Sequence, residues 1–331
     1  MKEQEYQIYK EGEYTYPASF GFTPFLHAYL HDDDEIRPVM IIAPGGGYRF
    51  VSPSEGEIVA RTFYEKDWNC FVLTYSVNTL DLAPLNKQPL MDISRAVRFV
   101  RKHAPEFHID PERLSVCGFS AAGHLCASLA VHYRDIADPD PAFDAISNRP
   151  QAAVLSYPVI TSGEYAHRDS FTALLGADAS EEMLNYMSLE TRVTENTVPC
   201  FLWATATDDL VPVENSYLFS SALKKAKVPY ALHVFTDGNH GLSVATQDWA
   251  DNKYAPDYTL RQAFSLIQAV KEGKLPAPSG EQGMFLQFIT GNAGGENSPI
   301  PEEYRSQPNP EAAVWPDLAD QWLKKVFSKK S

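Results

Sequence analysis

The serine at position 120 has a setting that free hydroxyls rarely have. It lies in Gly118-Phe119-Ser120-Ala121-Ala122-Gly123, after an apolar run that reads as a strand and before a run with helical spacing. A serine on such a cramped strand-to-helix turn has its oxygen raised above the end of a sheet, and small neighbours are needed because strand and helix approach closely. Ala122 stands where G-x-S-x-G carries its second glycine, and Gly123 comes one residue later. A serine oxygen becomes a nucleophile only when a neutral imidazole takes its proton and a carboxylate fixes that imidazole. Asp208 and Asp209 follow another apolar run, and His240 follows a third, within Asp237-Gly238-Asn239-His240-Gly241. Pro44-Gly45-Gly46-Gly47-Tyr48 follows a fourth and exposes backbone N–H groups suited to a developing oxyanion. The chemistry these types allow together is attack on an acyl carbon.

The elements that must carry these residues alternate along the chain. Continuous apolar runs at Val39–Ala43, Cys70–Tyr75, Leu114–Cys117, Ala152–Ser156, Phe201–Thr205 and Ala231–Phe235 suit strands buried on both faces, and Phe25–His31 reads as a further strand. Helical spacing occupies Glu55–Lys66, Met91–His103, Ala121–Tyr133, Val213–Lys227, Leu260–Glu272 and Leu318–Phe327. Strands separated by helices predict an α/β fold, a mostly parallel sheet with helices on both faces. In such a sheet Ser120, the acid and His240 all follow strands and so reach one edge. The Asp- and Pro-rich stretch 135–150 reads as a surface excursion, and 251–310 as an insertion before the last helix.

With these residues in view, the chain resembles the α/β-hydrolase-fold serine esterases, in the branch of acetylxylan esterases and related carbohydrate esterases. The resemblance rests on Pro44–Tyr48, the Ser120 turn running into His124, Asp208 with Val211-Pro212-Val213, and Gly238–Gly241. It covers about residues 20–250 and resumes at Val314–Phe327. It implies a single α/β-hydrolase domain over 1–331 with about eight strands, and the triad order Ser120, Asp208, His240. In that branch two residues stand between the acid and a Val-Pro pair, which selects Asp208 over Asp209. It also implies oxyanion donors at Gly46, Gly47 and Ala121, a small acyl group such as acetyl on a xylan-derived or other sugar, and no metal or organic cofactor. Pro44 stands where many esterases carry the histidine of His-Gly-Gly-Gly. The rival readings are a peptidase or lipase of the same fold and a non-catalytic module that binds a ligand or protein.

Composition bounds the partners. The chain has 331 residues, 28 Lys and Arg against 43 Asp and Glu, and a formal net charge of −15. That surface repels phosphate backbones and anionic lipids, so neither nucleic acid nor a membrane is an expected partner, whereas a small-molecule or oligosaccharide ester is. No apolar run reaches membrane-spanning length. Met1–Lys10 lacks the basic-then-apolar pattern of a secretory leader, so a cytoplasmic location is the expectation. The sequence does not define an oligomeric state. Cys70, Cys117, Cys126 and Cys200 match no zinc spacing and read as buried thiols.

Other candidates read as structure. His27 and His31 are four apart on a strand, Asp32–Glu35 is a solvated turn, and His124 is a helix-packing residue. Asp92 and Arg95 are spaced for an ion pair on one helix. Tyr48, Tyr157 and Trp203 lie near strand ends, with Tyr48 a candidate sugar-stacking residue, and Met284–Thr290 could cover the cleft or join a core.

Overall fold

Burial on both faces decides where the central strands lie. The computed structural model describes residues 1–254, 258–294 and 306–328. Its strands are β1 (Lys2–Gln7), β2 (Phe25–Leu30), β3 (Arg37–Ala43), β4 (Asn69–Thr74), β5 (Ile109–Phe119), β6 (Ala152–Ser156), β7 (Cys200–Thr205) and β8 (Tyr230–Phe235). They form one sheet in the order β1-β2-β4-β3-β5-β6-β7-β8. β2 runs antiparallel to β1 and β4, and every other pairing is parallel.

The two-residue period of β3 divides the core. Val39, Ile41 and Ala43 enter the layer under the helix Gln88–Lys102, and Met40 and Ile42 enter the opposite one. The first layer also takes the helix that opens at Ser120 and the helix Glu214–Lys225; the second takes the helices Glu57–Tyr64 and Trp315–Ser328. Each buried Leu, Ile, Val or Phe contributes about 1.5–3 kcal/mol through this burial.

The predicted strands are present, with ends moved by a few residues. β1 was not predicted, because Lys2–Gln7 shows no apolar alternation and is exposed along nearly its whole length. It is an edge strand, where charged side chains discourage pairing with another chain. The expected Asp92–Arg95 ion pair does not form. Asp92 accepts from Tyr9, Ser76 and Gln88 instead. Arg95 pairs with Glu13 and with Asp138, inside the predicted surface excursion, and lies against the rings of Tyr9 and Phe143. Helical spacing brought the two residues near each other, but burial let longer-range partners win. The four cysteines are free and buried.

Within 251–310, the helices Arg261–Lys271 and Gly280–Gly294 form a small cluster with Leu80, built from Ala263, Leu266, Leu286 and Ile289. Gln262 fastens this cluster to the loop after β4, exchanging two hydrogen bonds with the backbone of Val77 at 2.9 and 2.7 Å. Met284 and Phe288, one turn apart, face solvent. Residues 295–305 of the predicted insertion lie outside the described residues. Among the described residues no helix is long and apolar enough to cross a membrane.

Candidate active site

The carboxyl ends of β3, β5, β7 and β8 bring their following loops to one sheet edge, which is where ligands bind in open α/β sheets. β5 ends at Phe119, and the helix that follows opens on Ser120, whose φ is +53°. A left-handed backbone at a non-glycine residue costs about 1–3 kcal/mol and persists only where its surroundings enforce it. Gly118 enables it, since a Cβ there would lie 2.1 Å from the carbonyl oxygen of Ala122. Ala122 itself is accommodated, fully buried, in place of the usual glycine.

The three expected side chains meet. His240 Nε2 lies 2.7 Å from Ser120 Oγ, and His240 Nδ1 lies 2.8 Å from Asp208 Oδ2. A carboxylate only accepts, so Nδ1 carries the proton and Nε2 is left to accept from the serine hydroxyl. The other oxygen of Asp208 accepts from the backbone N–H groups of Leu210 and Val211 at 3.0 and 2.8 Å, which fixes the carboxylate plane. The Asp208 side chain is almost wholly buried and the imidazole is 12% exposed, so solvent competes little for these bonds. Asp209 takes a different part and accepts from the backbone N–H of His240 at 3.0 Å.

The glycine loop lies against the serine turn. A Cβ on Gly45 would fall 2.6 Å from the carbonyl oxygen of Phe119 and 3.1 Å from Ser120 Cβ. Gly46 and Gly47 both have positive φ, and the Gly46 carbonyl closes the loop by accepting from Arg49 and Phe50. Among the described residues, no acceptor takes the N–H groups of Gly46 or Gly47. Ala121 lies in the first turn of the helix, where N–H groups have no partner within the helix.

Tyr48 does not offer a face to a sugar. It is 2% exposed, and its hydroxyl donates to His124 Nδ1 at 2.9 Å, while His124 Nε2 donates to the Met187 carbonyl at 2.8 Å. Burial holds the His124 ring down at about 4, so it is neutral. Tyr48 follows a glycine loop that turns inward, and this carries its ring beneath the site.

Residues 26–223 match the BD-FAE family. The chain belongs to that family of α/β hydrolases. The match takes in Ser120 and Asp208 and ends before His240. Endo-1,4-beta-xylanase B of Butyrivibrio fibrisolvens is 50% identical over 263 residues, which are 78% of this chain and 41% of that protein. An acetylxylan esterase of Xylanibacter ruminicola is 28% identical over 209 residues, 61% of this chain and 40% of that protein. The chain thus spans about two fifths of these relatives. Among solved structures, the acetyl ester-xyloside bifunctional hydrolase of Caldicellulosiruptor lactoaceticus aligns with TM-score 0.69 and 35% identity, over 80% of this chain and 96% of that one.

Sequence reasoning missed Glu55 in this BD-FAE chain. It is 4% exposed, and both carboxyl oxygens accept: Oε2 from the Gly45 N–H at 2.8 Å and Oε1 from the Tyr157 hydroxyl at 2.6 Å. In sequence it reads as an ordinary acid at a helix start. Tyr157 follows β6, and its ring stands edge-on to His240 with centroids 4.9 Å apart. Arg49 was also missed; Asp169 grips it at 2.7 and 2.6 Å and Asp81 at 2.9 Å, beside the glycine loop. Among the described residues no group of three or more His, Cys, Asp or Glu side chains could hold a metal ion.

Proposed function

We propose that the protein is a serine esterase that removes short acyl groups, acetyl foremost, from xylan-derived or other sugars. The observation that carries this reading is the unbroken chain from Ser120 Oγ through His240 to Asp208, with contacts of 2.7 and 2.8 Å. His240 Nε2 takes the hydroxyl proton as Ser120 Oγ attacks the ester carbonyl carbon. The N–H groups of Gly46, Gly47 and Ala121 hold the resulting oxyanion, and Asp208 stabilises the imidazolium. Collapse breaks the carbon–alkoxy bond, and the sugar alcohol leaves with the proton from Nε2. Water then gives its proton to Nε2 and its oxygen to the acyl carbon, and the second collapse returns the proton to Ser120 and releases the carboxylic acid.

The sugar ester is supported by the names of an acetylxylan esterase and an acetyl ester-xyloside hydrolase among similar proteins. The relative named a xylanase is a longer protein, of which this chain spans 41%.

Acetate release from acetylated xylooligosaccharides and from 4-nitrophenyl acetate tests the proposal. Wild-type protein should hydrolyse both, Ser120→Ala neither, and rates should fall from acetyl to octanoyl esters. Full activity in Ser120→Ala would end the acyl-enzyme reading, and a long-chain optimum would make the protein a lipase.

A further inference from the structure

Burying a carboxyl group is costly unless it is fully hydrogen-bonded, and a core position that only needs filling is better served by an apolar side chain. Glu55 is buried, and its two bonds reach opposite sides of the site. One goes to Gly45, the residue before the proposed oxyanion donors. The other goes to Tyr157, whose hydroxyl in turn accepts from the Ser243 N–H at 3.0 Å, three residues beyond His240. Ser243 Oγ closes the circuit by donating to the carbonyl of Ser54 at 2.6 Å. Tyr157 itself sits at φ +36°, a strained conformation for a bulky residue. Tyr75 adds a second tie on the same loop, donating to the Pro44 carbonyl at 2.8 Å.

We propose that Glu55 is a positioning residue that locks the glycine loop and the His240 loop in mutual register, so that oxyanion donors and general base serve the same tetrahedral centre. This rests on the serine-esterase reading and adds a residue to it. The geometry calls for two acceptor oxygens, since both neighbours donate. Burial pushes the Glu55 carboxyl up, and the hydrogen bonds from Tyr157 and Gly45 oppose that. Glutamine replaces it poorly: with its oxygen toward the Gly45 N–H, its amide would face the Tyr157 hydroxyl, whose proton then loses its acceptor. A misaligned glycine loop weakens interactions made in the transition state and leaves ground-state binding nearly unchanged, so the loss belongs in kcat.

The test measures kcat and KM for 4-nitrophenyl acetate with Glu55→Gln, Tyr157→Phe and Ser120→Ala, with thermal melting to check folding. Glu55→Gln should lose roughly tenfold or more in kcat, with KM within about twofold. Tyr157→Phe keeps the Gly45 bond and should lose less, also in kcat. Wild-type kcat in both folded variants, or a change confined to KM, overturns the proposal. Should Glu55→Gln fail to fold, Tyr157→Phe decides alone, and an unchanged kcat there overturns it. Activity in Ser120→Ala would mark failure of the esterase reading itself; an inactive Ser120→Ala beside a fully active Glu55→Gln would mark failure of the Glu55 role alone.

Discussion

Asp209 holds the backbone N–H of His240 at 3.0 Å and leaves the imidazole to its neighbour Asp208. Two adjacent carboxylates thus anchor one histidine through different atoms, and they should tolerate substitution very differently. Asp208→Asn turns an amide donor toward Nδ1 and favours the wrong tautomer, so kcat should fall by about 10⁴. Asp209→Asn keeps an oxygen that accepts from the backbone N–H and should cost less than about tenfold. Steady-state kinetics on both variants checks this, and the reverse order would contradict the assignment.

The serine turn predicts a contrast between two small residues four apart. A methyl at Gly118 would collide with the Ala122 carbonyl at 2.1 Å. Gly118→Ala should therefore cost about 1–3 kcal/mol or more in stability and most of the activity. Ala122→Gly restores the usual motif and should cost only about 1 kcal/mol in helix propensity, with activity near wild type. Thermal melts and initial rates on the pair separate the two outcomes.

His124 should make the fold sensitive to acid. Its folded value is pushed down to about 4 by burial, against 6.5 for a free histidine. Below about pH 6.5 the unfolded chain binds a proton that the folded chain refuses until about pH 4. Stability from this group is therefore complete above that window and falls as pH drops through it, by about 3 kcal/mol in all. His132 and His167 are also lowered by burial and add to the same trend. Melting temperatures of His124→Gln should vary less than wild type between pH 6.5 and 4.

Arg95 should be among the costliest charges to remove. It is 1% exposed and grips Asp138, which is itself buried, at 2.6 and 2.5 Å. Arg95→Met removes the nearest cation from that carboxylate, leaving it Arg98 at 3.8 Å and the Asp140 N–H at 2.9 Å, and should cost up to about 3–5 kcal/mol by denaturant titration. Adding Asp138→Asn should return part of the loss, because a neutral amide tolerates the same burial better.

Much of the site was legible because its residues sit at strand ends, and strand ends follow from apolar runs. Val39–Ala43 and Phe201–Thr205 suit central strands, and in a parallel sheet the residues after them reach one edge. What stayed hidden depended on contacts between distant segments. Glu55 is an unremarkable acid until Gly45 and Tyr157 arrive from other strands to surround it. Tyr48 drew notice as an aromatic beside a glycine loop, but the inward turn of that loop took its ring to His124. β1 was hidden for a further reason: a polar edge strand is defined by the partner it pairs with and not by any pattern of its own.

The loop that carries His240 is gripped from the far end of the described chain. Asn309 donates to the Asp237 carbonyl at 2.8 Å across 72 residues, Glu311 accepts from Thr236, and Trp315 donates to the Ser243 carbonyl at 2.8 Å. Trp315 also stacks on Trp203. A nascent chain that has just exposed His240 therefore still lacks the moorings that hold it over Ser120. Assembly of the site waits for residues 309–315 to dock, however early Ser120 and His240 have emerged.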